Sequence, residues 1–237
     1  MDDIFSLAEY YKKLSKTDKN FATKKFFSMS DNDLKEGKAI IELINKKNKE
    51  IEIESNYSKR NELNRKKGKL LERLAFVILD SAQIFEIKNN LRDHTNEIDL
   101  LLRPTDYNKL NSIILPQYLT NDILIECKNY NDKINVDWVG KFFSLMCTHK
   151  IDLGILFSYN EFKGKNEWDS AKGLSKKLFL AENKAIININ MDDIQKILDR
   201  QFNIVELIKM KYDALKNHVN YTALITKHPA ERDEKEQ

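Results

Sequence analysis

ILIECKNY, residues 123–130, and NEIDLLL, residues 96–102, decide how this chain folds. Each is a short aliphatic run interrupted by charge. Neither carries the Gly, Pro or Asn–Gly signals of a turn within its apolar part. In a β-strand successive side chains alternate faces, so Glu126 and Lys128 point one way and Cys127 the other. Asp99 sits between Ile98 and Leu100 in the second run.

A carboxylate in the middle of a buried strand is costly unless it is paired, protonated or bound to a metal. If Asp99 and Glu126 face the same side, their repulsion demands a cation. Mg²⁺ prefers carboxylates and waters in an octahedral shell, and Mn²⁺ is an expected substitute. Such an ion polarises a phosphate and lowers the pKa of its water. Lys128, on the Glu126 face, is then placed to orient that water or to answer charge gathering on phosphate oxygens. This is equipment for cutting a phosphodiester. Glu72 is a third acid of the set. It interrupts the apolar helical stretch LLERLAFVIL, with Phe76 and Leu79 farther along its stripe.

Outward from these runs, short apolar segments alternate with helical patterns. Strands are expected at 84–88, 97–103, 122–128, 153–158 and 185–190. Helices are expected at 58–80, 135–148, 169–180 and from 191, continuing to about 224. The 135–148 helix carries Trp138, Phe142, Leu145 and Met146 as its apolar stripe. Toward the N-terminus, helices fit 4–14 and 21–28. Ser30 and Asp33 resemble a capping box opening a helix to about 48, and IEIES (51–55) alternates like a short strand. Consecutive strands suit antiparallel pairs and strands separated by helices suit parallel crossovers. The expected fold class is α/β: a mixed sheet flanked by helices, with an N-terminal helical extension. Three regions follow: 1–57 helical, 58–200 the core, and 201–237 helices with a polar tail.

Composition agrees with a folded domain. Of 237 residues, 41% are hydrophobic and 32% charged, and only 6 Gly and 3 Pro favour long regular elements over loops. The net charge of +3 decides no partner, but its distribution is uneven. Residues 1–69 hold 17 Lys/Arg against 12 Asp/Glu. Six of those cations (Lys59, Arg60, Arg65, Lys66, Lys67 and Lys69) lead straight into the Glu72 helix. As a phosphate-tracking surface they would make binding salt-dependent; an ordinary lysine-rich exposed helix face is an equally good reading. Cys127 and Cys147 lack metal-ligand spacing and read as free, buried thiols suited to a reducing cytoplasm. No secretory signal, membrane-length apolar run, phosphate-binding Gly loop or zinc cluster is legible. His94 and His149 are isolated. Asn129 and Tyr130, after the lysine, suit either a strand-end turn or the sugar–phosphate backbone. Trp138 and Trp168 read as packing residues.

The ordered set, Glu72 in a helix, then Asp99 and Glu126-x-Lys128 in successive strands, resembles the PD-(D/E)xK nuclease superfamily. Within it the set is similar to the Mrr-like restriction endonucleases, over about Gly68 to Leu198. KGKLLERLAFVIL resembles the first core helix, NEIDLLL the strand with the metal-binding acid, and ILIECKNY the strand with acid and lysine. The resemblance implies that Asp99, Glu126, Glu72 and the backbone carbonyl of Cys127 hold Mg²⁺ and that Lys128 assists the attacking water. Two departures stand: Ile98 replaces the usual proline before the acid, and Glu126 stands where many relatives have glutamine. The implied function is a metal-dependent DNA endonuclease of a prokaryotic restriction or defence system. It would act on DNA as a homodimer or with a partner subunit, away from membranes. Two other readings remain: a structure-selective junction or repair nuclease, and a non-cutting nucleic-acid-binding subunit that keeps the fold.

Overall fold

Ser30 and Asn56 open the two long helices of the N-terminal half. The Ser30 hydroxyl accepts from the Asp33 N–H at 3.2 Å and donates to the Asp33 carboxylate at 2.6 Å. Asn56 accepts from the Lys59 N–H at 3.1 Å. Each satisfies one of the donors that a helix start leaves orphaned. The computed structural model describes residues 9, 12–14, 16, 18, 20–92, 97–129, 132–164 and 170–217, with only the backbone at 90–92 and 97. Most of the expected 4–14 helix, His94, Tyr130, Trp168 and the end of the expected C-terminal helix lie outside the described residues.

The elements are α1 (Phe21–Phe26), α2 (Asp31–Ile53), α3 (Tyr57–Asp80), β1 (Phe85–Arg92), β2 (Glu97–Pro104), α4 (Asp106–Leu110), β3 (Ile123–Lys128), α5 (Val136–His149), β4 (Leu153–Ser158), α6 (Ala171–Glu182), β5 (Ala185–Ile189), α7 (Met191–Leu198) and α8 (Ile204–Lys216). The strands form one sheet in the order β1-β2-β3-β4-β5. β1–β2 and β2–β3 are antiparallel; β3–β4 and β4–β5 are parallel. This is the mixed α/β sheet expected from the chain's alternation of runs, because the two parallel pairs are each joined by a helix of three turns or more, α5 and α6, whereas the five-residue α4 between β2 and β3 is too short for a crossover.

Alternation along the strands feeds two cores. Leu100, Leu102, Ile123, Ile125, Ile155 and Ile187 pack with Leu71, Leu74 and Ile78 of α3, and with side chains of α2, α7 and α8. Leu101, Leu124, Leu156 and Ile186 pack on the other face with Val139, Phe142 and Met146 of α5. Gly154 makes the second contact close: a Cβ there would lie 2.5 Å from the Met146 sulfur and 2.6 Å from the Phe142 ring.

Three expectations are corrected. IEIES is no strand; residues through Ile53 continue α2. Ile40, Ile44 and Ile51 are all buried, a helical stripe, and no strand pairs with the segment. Cys147 is exposed, because α5 turns it away from the sheet. Lys67 is no part of an exposed basic face: it is 1% exposed, donates to Asn48 Oδ1 of α2 at 2.8 Å and lies over the Tyr159 ring. The helical phase puts it between α2 and the sheet.

Candidate active site

The last paired rung between β2 and β3 is Leu100–Ile125. Carrying the register one residue further sets Asp99 opposite Glu126, and residues opposite one another in antiparallel strands share a face. There the ladder stops. The Asp99 carboxylate instead accepts the Cys127 backbone N–H at 2.7 Å, taking the donor that the next rung would have used. Ile98 marks the same departure: it packs in the second core, although alternation from Leu100 would send it to the first. A residue's N–H and C=O leave a strand toward the same neighbour, so the Cys127 carbonyl also faces the β2 side.

Lys128 and Glu126 form an ion pair with side chains only 14% and 16% exposed. The Lys128 ammonium also lies 3.9 Å from the centre of the Trp138 ring, which Lys141 approaches at 4.9 Å. Trp138 stands in the first turn of α5, where Asn135 caps the helix by accepting the Trp138 N–H at 3.2 Å. The cap therefore fixes where the indole stands against the β3 lysine. Trp138 and Lys141 stand beside the candidate site, a position that reading the sequence did not give them. Trp138 does pack against the second core, as its apolar stripe implies; what the sequence does not show is that its ring also faces Lys128, which depends on the tertiary meeting of α5 with the end of β3.

Glu72 approaches from α3. Asn64, Gly68 and Glu72 are spaced four apart and share one stripe of that helix. Asn129, just past β3, donates to the Asn64 carbonyl at 3.0 Å, and its amide lies 3.8 Å from the position of a Gly68 Cβ. The stripe bearing Glu72 thus runs along the end of β3. Asn129 has a structural task here, pinning α3 to the strand. Of the expected basic face, Lys59, Arg60, Arg65, Lys66 and Lys69 are exposed, with Lys66 paired to Glu62 at 2.7 Å.

The electrostatics record this crowding of acids. Burial raises the Glu126 carboxyl above its ordinary value, and the Asp99 charge raises it further; Lys128 opposes both, and Glu72 adds a smaller push upward. Burial first, then Asp99, Glu72 and Glu126, lift the Cys127 thiol well above its usual range. Among the described residues, no three Asp, Glu, His or Cys side chains converge closely enough to hold one ion. Asp99, Glu126 and the Cys127 carbonyl are oxygen donors at one strand end, with Glu72 near enough to act on Glu126 through its charge. Such a set fits a hard divalent cation, which relieves the repulsion that raises Glu126.

A mixed sheet with helices on both faces and acids where two strands part is a restriction-endonuclease-like α/β fold. The restriction endonuclease family model Mrr_cat matches residues 63–190, more than half of the chain, and the protein belongs to that family. It is a nuclease of restriction-endonuclease type. No curated protein and no solved structure matches the chain. No helix among the described residues is long and apolar enough to cross a membrane.

Proposed function

We propose that the protein is a metal-dependent endonuclease that hydrolyses DNA phosphodiester bonds in a prokaryotic restriction or defence system. The observation that carries this reading is the meeting of Asp99 and Glu126 at the point where β2 and β3 part, with Lys128 beside them. Asp99, Glu126 and the Cys127 carbonyl would hold Mg²⁺ or Mn²⁺, and Glu72 would act through a water. When bound, the ion supplies Lewis acidity to the scissile phosphate and to the attacking water. The remaining work belongs to the chain. Asp99, by accepting the Cys127 N–H, fixes the strand end and its own carboxylate together. Lys128, held by Glu126 and the Trp138 ring, keeps an ammonium where charge accumulates on the phosphate oxygens. Trp138 and α5 cover one side of the pair and exclude water from it, which strengthens each charge. The exposed cations of α3 would track the backbone of the duplex.

The test is cleavage of supercoiled plasmid with Mg²⁺, with Mn²⁺ and with EDTA. The native protein should nick or linearise the plasmid only with a divalent ion. Asp99→Ala and Lys128→Ala should each lose at least about a hundredfold in rate, the scale of removing one transition-state contact. Cleavage that persists unchanged in both variants sinks the assignment. Faster cutting of branched DNA than of linear duplex would redirect it to a junction or repair nuclease. One site cuts one strand, so double-strand breaks would call for a homodimer or a partner subunit; sedimentation with and without duplex DNA separates these.

A further inference from the structure

β1 ends the sheet on one side and β5 ends it on the other. Every residue of β5 is buried. β1 is eight residues long, and no strand lies along its outer side among the described residues. Glu86 and Asn89 are exposed there, and Ile87 and Lys88 are half-buried. An uncovered strand of this length is a template for pairing with another chain.

The ladder with β2 fixes which backbone groups of β1 point outward. The Thr105 N–H donates to the Ile84 carbonyl at 3.0 Å, so residues 84 and 105 form a hydrogen-bonded pair. Such pairs alternate along antiparallel strands. In the register Glu86–Arg103 and Lys88–Leu101, the backbone of 86 and 88 therefore bonds into the sheet. The N–H and C=O groups of Phe85, Ile87 and Asn89 are directed away from it. Side chains alternate as well. Phe85 and Ile87 pack with the first core, and Glu86 and Lys88 stand on the opposite face, 3.7 Å from each other.

Charged side chains on an edge repel most strands that approach it. The order of charge on β1 makes an exception of a second β1 running the opposite way. With a two-fold axis at Ile87, residues 85, 87 and 89 meet residues 89, 87 and 85 of the copy. These are the residues whose backbone groups point outward, so the hydrogen-bond ladder continues in step. Residues 86 and 88 then meet residues 88 and 86 of the copy. Each glutamate stands opposite a lysine in the closer, non-hydrogen-bonded kind of pair, where opposite charges attract and like charges repel. On its inner side Glu86 is already opposite Arg103, which pairs with Asp122 at 3.6 Å. The contact thus extends a row of alternating charge that crosses the sheet. Moving the axis by one residue, to Glu86 or to Lys88, would set like charges opposite each other.

We propose that β1 is a self-pairing edge through which two copies of this chain join as an antiparallel, two-fold dimer. The surface is complementary to itself, as an isologous interface requires. The joined sheet ends in a buried β5 on both sides, so assembly stops at two. The two copies of β3 lie five strand spacings apart, about 24 Å. The pairing stands on the sheet alone and holds whether or not the protein cuts DNA.

Sedimentation velocity of the full-length protein, without DNA and in EDTA, is run from about 1 to 100 µM, a range that spans micromolar dissociation constants. A dimer is expected. Glu86→Lys and Lys88→Glu each turn two attractive cross-strand pairs into repulsive ones and should each weaken the dimer by at least about tenfold. The double variant Glu86→Lys/Lys88→Glu restores attraction in the same register and should recover the dimer. An equimolar mixture of the two single variants should also dimerise, because one strand then carries two lysines and the other two glutamates. Asn89→Pro removes an outward donor and no β1–β2 bond, so it should dissociate the dimer while far-UV circular dichroism stays native. A native chain that is monomeric over the whole range, or an assembly larger than two, would overturn the proposal. So would a dimer indifferent to either charge reversal, or one that neither the double variant nor the mixture restores.

Discussion

Lys128 shows how much of a candidate active residue's setting lies outside its own motif. The spacing Glu126-x-Lys128 is legible in the sequence because strand periodicity is rigid. The Trp138 ring against its ammonium is not, since it depends on where α5 returns to the sheet. A cation over an indole is worth about 0.5–2 kcal/mol. Trp138→Leu should therefore lower kcat about 2- to 30-fold with KM for DNA little changed, and Trp138→Phe should recover part of the loss; steady-state cleavage kinetics decide this. Glu206 offers a test of a buried charge far from the site. Its carboxylate accepts the Asn203 N–H at 3.0 Å, and burial raises it above its ordinary value. Folded protein then holds this proton more tightly than the unfolded chain. The resulting stability is full below the ordinary glutamate range and is lost as pH rises through the folded value. Glutamine at the same place can still accept that N–H. Relative to native protein, Glu206→Gln should gain stability as pH rises from 4 to 8, as read by urea unfolding at each pH.

At the scale of elements, the core was legible where a single periodicity ran unbroken. β4 at Leu153–Ser158 and α7 at Met191–Leu198 fall where their apolar patterns put them. IEIES misled because five residues fit both a strand and the last turn of a helix, and only the missing strand partner separates the two. Lys67 misled for a related reason: six cations among residues 59–69 look like one face, but a helix points successive residues about 100° apart, and Lys67 falls on the side turned inward. The close seat of α5 on β4 was also hidden, because it depends on an absent side chain. Gly154→Ala would bring a Cβ to 2.5 Å of the Met146 sulfur and 2.6 Å of the Phe142 ring. Met146 can bend away but the ring has less room, so the variant should lose about 1–3 kcal/mol of stability by chemical denaturation. Since α5 carries Trp138, cleavage should fall more than the folded fraction does.

For the whole molecule, the proposed function would tie the charge of α3 to both the candidate site and a DNA substrate. The stripe Asn64–Gly68–Glu72 is turned to the end of β3, so Arg65 and Lys69, each one residue further on, stand beside it at the approach to the acids. Both are exposed, as are Lys59 and Arg60 one to two turns earlier. A duplex laid across the parting of β2 and β3 would meet this helix along its basic half. Each phosphate contact that a cation makes adds about 0.9 to the slope of log affinity against log salt. Removing Arg65 and Lys69 together should therefore weaken DNA binding and flatten that slope by up to about 2, whatever the sequence of the duplex. Lys67 supplies the control, because it lies in the same run yet faces Asn48 and Tyr159 instead of solvent. Lys67→Met should leave the salt slope as it is while altering stability, since a buried cation is exchanged for an apolar side chain of similar length. Fluorescence anisotropy with one duplex over a range of NaCl concentrations, in Ca²⁺ or EDTA to prevent cutting, reads both variants. An unchanged slope in the Arg65/Lys69 variant would detach α3 from the DNA path; a reduced slope in Lys67→Met would mean that the effect comes from disturbing the α2–α3 packing and not from lost phosphate contacts.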